Sequence, residues 1–152
     1  MNPYILKREQ RVPYSLDEVF AFFSQAANLQ RITPPSLNFC ILTPPPLRMR
    51  EGALIDYTLR VWGVPIHWRT LITTYDPPHR FVDEQIKGPY VFWHHTHTFR
   101  EDDDGTIIGD EVRYVLPFGA LGRLMHAVYV RRDLERIFDY REEVIAQVFA
   151  SQ

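Results

Sequence analysis

A chain of 152 residues has the length of one domain and can bury a sizeable core. Its 17 basic residues nearly balance 19 acidic ones, which excludes a broad field for nucleic acid or an anionic membrane. The single cysteine, Cys40, excludes an internal disulfide and fits a reducing compartment, so the cytoplasm is the expected location.

The opening "MNPYILKREQRV" carries charges every few residues and no apolar run, so it reads as neither a signal peptide nor a membrane span. From Tyr4 to Val12 it partly alternates, with Tyr4, Leu6 and Val12 on one parity, as in a strand ended by Pro13. Ser15 and Glu18 form a capping box for a helix whose apolar face is Leu16, Val19, Phe20 and Phe23. Two short helices are expected before Thr33-Pro34-Pro35, where neither proline can donate to a helix.

Strands dominate the middle. "SLNFCIL" reads as a short strand closed by Pro44 to Pro46, with Cys40 a small apolar residue within it rather than a nucleophile. "ALIDYTLRVW" and "PIHWRTLITTY" form a hairpin around Gly63-Val64. "RFVDEQI" and "YVFWHHTHTF" are joined by "KGP", and "GTIIGDEVRYVL" returns through Asp102-Asp103-Asp104-Gly105. Too few liganding positions follow that acidic turn for a calcium loop, so a solvated hairpin turn is the reading. Beyond Pro117 the period changes to that of a helix, with apolar residues from Leu121 to Val148. Some thirty residues at 1.5 Å each make a rod of about 45 Å. Only a wide, curved sheet matches such a rod. The fold class is therefore α+β, with about six to seven antiparallel strands wrapped around the last helix, in one domain over residues 1–152.

Three of the six histidines lie in "WHHTHTF". Strand alternation puts Trp93, His95, His97 and Phe99 on one face and His94 with Thr96 on the other. Counting back from the acidic turn pairs Phe99 with Ile108, His97 with Asp110, His95 with Val112 and Trp93 with Tyr114. The inward face then carries two imidazoles and a carboxylate among aromatics, and Asp83 and Gln85 on the preceding strand can extend that network. Buried polar groups must be paired, so a structural or ligand-orienting His–Asp pair is favoured over catalysis. His95, His97 and Glu101 also have a cupin-like metal spacing. The second cupin motif fails at Gly122, and a long final helix is foreign to that all-β fold, so no metal and no other cofactor is expected.

The ordered fragments Gly88-Pro89, then Trp93, His95, His97 and Phe99, then Asp110, Val112, Tyr114 and Leu116-Pro117-Phe118-Gly119, then Arg131-Arg132, resemble the START-like superfamily. That superfamily is also called SRPBCC or Bet v 1-like and includes polyketide cyclase-like proteins; the closest likeness is to its small bacterial ligand-binding members. "VPYSLDEVFAFFSQAANLQRITPP" is similar to that family's first strand and paired helices. The resemblance implies a helix-grip fold, with a cavity between sheet and helix that takes lipids, sterols, polyketides or other small apolar molecules. It does not carry a reaction with it. Inward candidates for contacting such a ligand are Ile55, Tyr57, Leu59, Trp68, Trp93, His95, His97, Asp110, Tyr114 and Met125. If the protein is an enzyme, a cyclase, dehydratase or hydrolase, then His95 or His97 is the general base and Asp110 orients it. The third alternative is a partner-binding module with a solid core. Arg131-Arg132 shares its helix with Asp133 and Glu135, which argues for a solvated face rather than nucleic-acid binding. "LPFGALGRLMHAVYV" reads as a lid over the pocket, with Gly119 and Gly122 permitting motion.

Overall fold

The computed structural model describes residues 2–61 and 63–150. The first strand, β1, spans Tyr4–Val12 and is followed by α1 (Leu16–Phe23) and α2 (Asn28–Arg31). The Ser15 hydroxyl accepts from the Glu18 N–H at 3.3 Å and donates to the Glu18 carboxylate at 2.9 Å, which closes the N-terminus of α1. Leu16, Val19, Phe20 and Phe23 are all buried, as the 3.6-residue period requires. Each such side chain contributes roughly 1.5–3 kcal/mol.

The sheet continues with β2 (Cys40–Ile41), β3 (Leu54–Val61), β4 (Val64–Asp76), β5 (Arg80–Lys87), β6 (Phe92–Asp102) and β7 (Gly105–Val115). Its seven strands are antiparallel in the order β1-β7-β6-β5-β4-β3-β2, so the first strand closes on the last. The β6–β7 register is the one counted from the acidic turn, from Glu101 opposite Thr106 to Trp93 opposite Tyr114. Irregular pairing in β4, between Arg69 and Thr70 and between Ile72 and Thr74, bends the sheet.

Two expectations needed correction. The strand expected over "SLNFCIL" shrinks to Cys40–Ile41, because Pro35–Leu37 form a 3-10 turn and Asn38 stands at φ 47, in the left-handed region. Cys40 is exposed there. The final helix is not uniform: α3 (Gly119–Met125) runs into a π turn at His126–Val130 and then α4 (Arg131–Val148). Such a wide turn inserts one residue and resets which side chains face inward.

The main core lies where α1 meets the sheet and the end of α4, around Phe20, Phe23, Phe81, Phe99, Ile145 and Phe149. Toward the other end, α4 stands off the sheet and the interior opens. No helix among the described residues is long and apolar enough to cross a membrane.

Candidate functional site

The opening is a cavity of about 330 Å³. One wall is the sheet, with Ile55, Tyr57 and Leu59 from β3, Trp68 from β4, and Trp93, His95 and His97 from β6. The other wall is the π turn and α4, through Tyr129, Val130, Leu134, Ile137, Phe138 and Arg141. Seven of the ten residues expected to face a ligand therefore line one space. Asp110, Tyr114 and Met125 do not line it. Asp110 stands behind His95. Tyr114 packs on Tyr90 and Trp93, and its hydroxyl is 2.8 Å from His126 Nε2. Met125 precedes the π turn, which directs Tyr129 and Val130 into the cavity instead.

The wall is mostly aromatic and aliphatic. Tyr57 and Trp68 stack with centroids 5.9 Å apart, and Trp68 meets Trp93 edge-on at 5.3 Å. Burial, and then the charge of Asp83, hold the Tyr57 phenol far above its ordinary range, so it stays protonated.

The polar groups gather in one place. Phe81, His97 and His95 form a stack, with centroids 4.1 Å and then 3.7 Å apart. Asp110 accepts from His95 Nε2 at 2.8 Å, and Asp83 accepts from His97 Nε2 at 2.6 Å. The partners are crossed relative to the sequence reading, in which His97 met Asp110; His97 Nδ1 is 3.5 Å from that carboxylate. Although His97 pairs with Asp110 along the backbone, the side chains lean diagonally. Gln85 does not extend the network: its amide holds both backbone groups of Tyr90, at 2.7 and 3.0 Å, and fixes the turn after β5.

Arg141 completes the cluster. Its guanidinium lies over the rings of Phe23 and Phe138, at 5.4 and 5.7 Å, and its Nη2 reaches Asp110 at 3.3 Å and His97 Nδ1 at 3.5 Å. A guanidinium can only donate, so His97 Nδ1 accepts and the His97 proton sits on Nε2, toward Asp83. Burial, and then the neighbouring His95, bring the His97 pKa down to about 4, so the ring is neutral at pH 7. For Asp110 burial acts upward, but the charge of Arg141 and the hydrogen bond from His95 outweigh it and hold the carboxyl below its ordinary range. Asp83 is lowered in the same sense: burial acts upward, and the His97 hydrogen bond together with the charges of His95, His97 and Arg141 outweighs it. His95 Nδ1 remains 3.9 Å from Asp83, too far for a hydrogen bond, and is the ring nitrogen of the cluster left uncommitted among the described residues.

Asp83, His95 and His97 each offer a ligand atom within 4.8 Å of the others. Their geometry does not suit one shared ion. Stacked imidazoles tilted by only 25° send their in-plane lone pairs side by side rather than toward a common point. Glu101, the third member of the cupin-like spacing, is exposed near the far end of β6 and does not join them. The outward His94 stands 3.6 Å from Glu84 on the other face.

Sequence reasoning missed Arg141. The signal was there: Leu134, Phe138, Arg141 and Ile145 follow one helical stripe, and all four are buried. A lone charge on an apolar stripe marks a partner waiting on the opposite wall. The segment read as a lid supplies Leu116, Tyr129 and Val130 to the cavity wall. Phe118, Leu121, Leu124 and Val128 are exposed, and Gly122 serves close packing, since a Cβ there would lie 2.1 Å from the Pro117 carbonyl oxygen.

A curved antiparallel sheet gripping a long C-terminal helix around an internal cavity defines the helix-grip, Bet v 1-like class of proteins. The chain belongs to the polyketide cyclase / dehydrase and lipid transport family, whose model matches residues 12–139, and that family supports a hydrophobic-ligand-binding fold. Solved structures with the same fold include TTHA0849 from Thermus thermophilus, at 14% identity and a TM-score of 0.73, covering 97% of this chain and 100% of that one. The di-domain ARO/CYC StfQ from the steffimycin biosynthetic pathway matches at 16% identity and 0.74, over 98% of this chain and 51% of that one. Major latex-like protein 151 from Panax ginseng matches at 9% identity and 0.72, over 99% and 100%. At these identities the likeness concerns the fold. No curated protein matches the chain in sequence.

Proposed function

We propose that this chain is a cytoplasmic binding protein for a small apolar molecule, lipid-, sterol- or polyketide-like, held between the sheet and α4. The observation that carries the reading is a cavity of about 330 Å³ with apolar walls and one convergent polar cluster. Ile55, Tyr57, Leu59, Trp68 and Trp93 surround the apolar body. His95, His97, Asp83 and Arg141 orient its polar end, with Asp110 holding His95 from behind. The single cysteine supports the cytoplasmic placement.

A ligand that binds only the folded state stabilises it by RT ln(1 + [L]/Kd), about 2.7 kcal/mol at a hundredfold excess over Kd. For a domain of this size each kcal/mol raises the midpoint by about 2–4 °C. In a thermal-shift panel, stabilisers are expected among fatty-acyl, sterol-like and aromatic polyketide-like compounds, and none among sugars and nucleotides. A panel in which only polar metabolites shift the midpoint would sink the reading.

One observation favours a second reading. Asp110 fixes His95 through Nε2 and leaves Nδ1 uncommitted, which is the arrangement of a general base held by a carboxylate. A cyclase or dehydratase working this way would lose turnover in His95→Ala while still binding its substrate. A binding protein shows no turnover in either form.

A further inference from the structure

The hydrogen-bonding capacity of the polar cluster is incompletely used, and the unused part has a definite chemical shape. Arg141 is 7% exposed and lines the cavity, yet its Nε finds no acceptor among the described residues. With Nε enclosed and Nη2 shared between Asp110 and His97, the part of the guanidinium that lines the cavity is the donor left for an entering acceptor atom. Asp83 also lines the cavity and, among the described residues, accepts a side-chain hydrogen bond from His97 alone; His95 Nδ1 is 3.9 Å away. A carboxylate with lone pairs to spare calls for a donor.

Charge decides between the groups that could satisfy these needs. Asp83 and Asp110 are each negative, Arg141 is positive, and His97 is committed as a neutral ring between Arg141 and Asp83. A proton on His95 would bring the cluster only to neutrality, never to a net positive charge. Asp133, on the helix side of the same cavity, adds another negative group. An entering carboxylate would gain no net attraction and would lose its hydration. An ammonium group offers no acceptor to Arg141, and an ether or ketone offers no donor to Asp83. A hydroxyl does both at once.

Building on the proposed binding role, we infer that this site selects an alcohol or phenol and discriminates against the carboxylate of the same skeleton. The hydroxyl oxygen accepts from Arg141, and its O–H donates a hydrogen bond to Asp83 or to His95 Nδ1.

The test compares matched probes by calorimetry at pH 7, where the alcohols are neutral and the acids ionised. One series is 2-naphthol, 2-methoxynaphthalene, naphthalene, 2-naphthylmethylamine and 2-naphthoate; the other is 1-dodecanol and dodecanoate. Both alcohols are expected to bind about tenfold or more tightly than their carboxylate counterparts, and 2-naphthol by a similar factor over the ether, which accepts but cannot donate. Asp83→Asn removes one negative charge at nearly constant shape, so it should narrow the gap between 2-naphthol and 2-naphthoate. The comparison on the unaltered protein stands alone should that variant fail to fold. Equal binding of naphthol, ether and naphthalene would overturn the hydroxyl inference and leave the apolar cavity standing. Tighter binding of the carboxylate or the amine would overturn it as well. If no member of either series binds, the proposed binding role fails and the inference falls with it.

Discussion

His97 is where burial has its most measurable consequence. Its unfolded pKa is near 6.5, and in the folded protein burial, followed by the neighbouring His95, brings it down to about 4. Between those values the unfolded chain holds a proton that the folded chain does not. Acid therefore favours unfolding: this contribution is full above pH 6.5 and is lost toward pH 4, at most about 3 kcal/mol. His126 is also lowered, first by burial and then by Arg131, and acts with the same sign. Asp83 and Asp110 are lowered carboxylates, so their contribution is present above the ordinary aspartate range and is lost as the pH falls through their folded values. Urea unfolding from pH 7.5 to 4.5 should show a midpoint that is nearly level down to about pH 6.5 and then falls. His97→Gln, which can still donate to Asp83, should have a shallower slope. A flat wild-type profile over that window would contradict the burial of a neutral imidazole.

Among the elements, α3 and the π turn decide how the helix meets the sheet. The exposed outer side of α3 leaves Gly122 as its point of close approach, against the Pro117 carbonyl. Alanine is the better helix former by about 1 kcal/mol, so propensity alone favours Gly122→Ala. The steric argument has the opposite sign: the added methyl cannot fit without moving backbone, and overpacking of that kind costs about 1–3 kcal/mol. Chemical denaturation should find the variant destabilised, and a stabilised variant would mean that α3 is free to shift. Residue counting carries a helical face across a regular helix but fails at an inserted wide turn. This is why Met125 was expected in the cavity and Tyr129 and Val130 were not.

For the whole molecule, the question is whether the space between sheet and α4 is there to be filled. Ile137 lines it from the helix side and is half-buried. Ile137→Trp should place the added rings in the void, cost less than about 1.5 kcal/mol, and abolish the thermal shifts given by ligands. In a closed interior the same volume would overpack, at about 1–3 kcal/mol or more. A well-folded variant with undiminished ligand shifts would move the binding site elsewhere.

Much of this architecture follows from local rules. The capping residues of α1, the parity of β6 and the two-residue turn at Asp103-Asp104 act over a few residues, so the β6–β7 register and the inward direction of Trp93, His95 and His97 could be counted directly. The long-range arrangement could not. Arg141 lies 44 residues from His97 and 31 from Asp110, and no local pattern says which carboxylate a helix residue will meet. The crossed pairing of His95 with Asp110 and His97 with Asp83 depends on side-chain lean across three strands. The cavity itself arises from the bend of β4 and the stand-off of α4, and the same apolar residues could equally have filled a solid core. Sequence determined the elements, their order and the inward face of the histidine strand. Only the tertiary structure decided which charges that face meets and that an open space lies in front of it, because both depend on how distant segments pack.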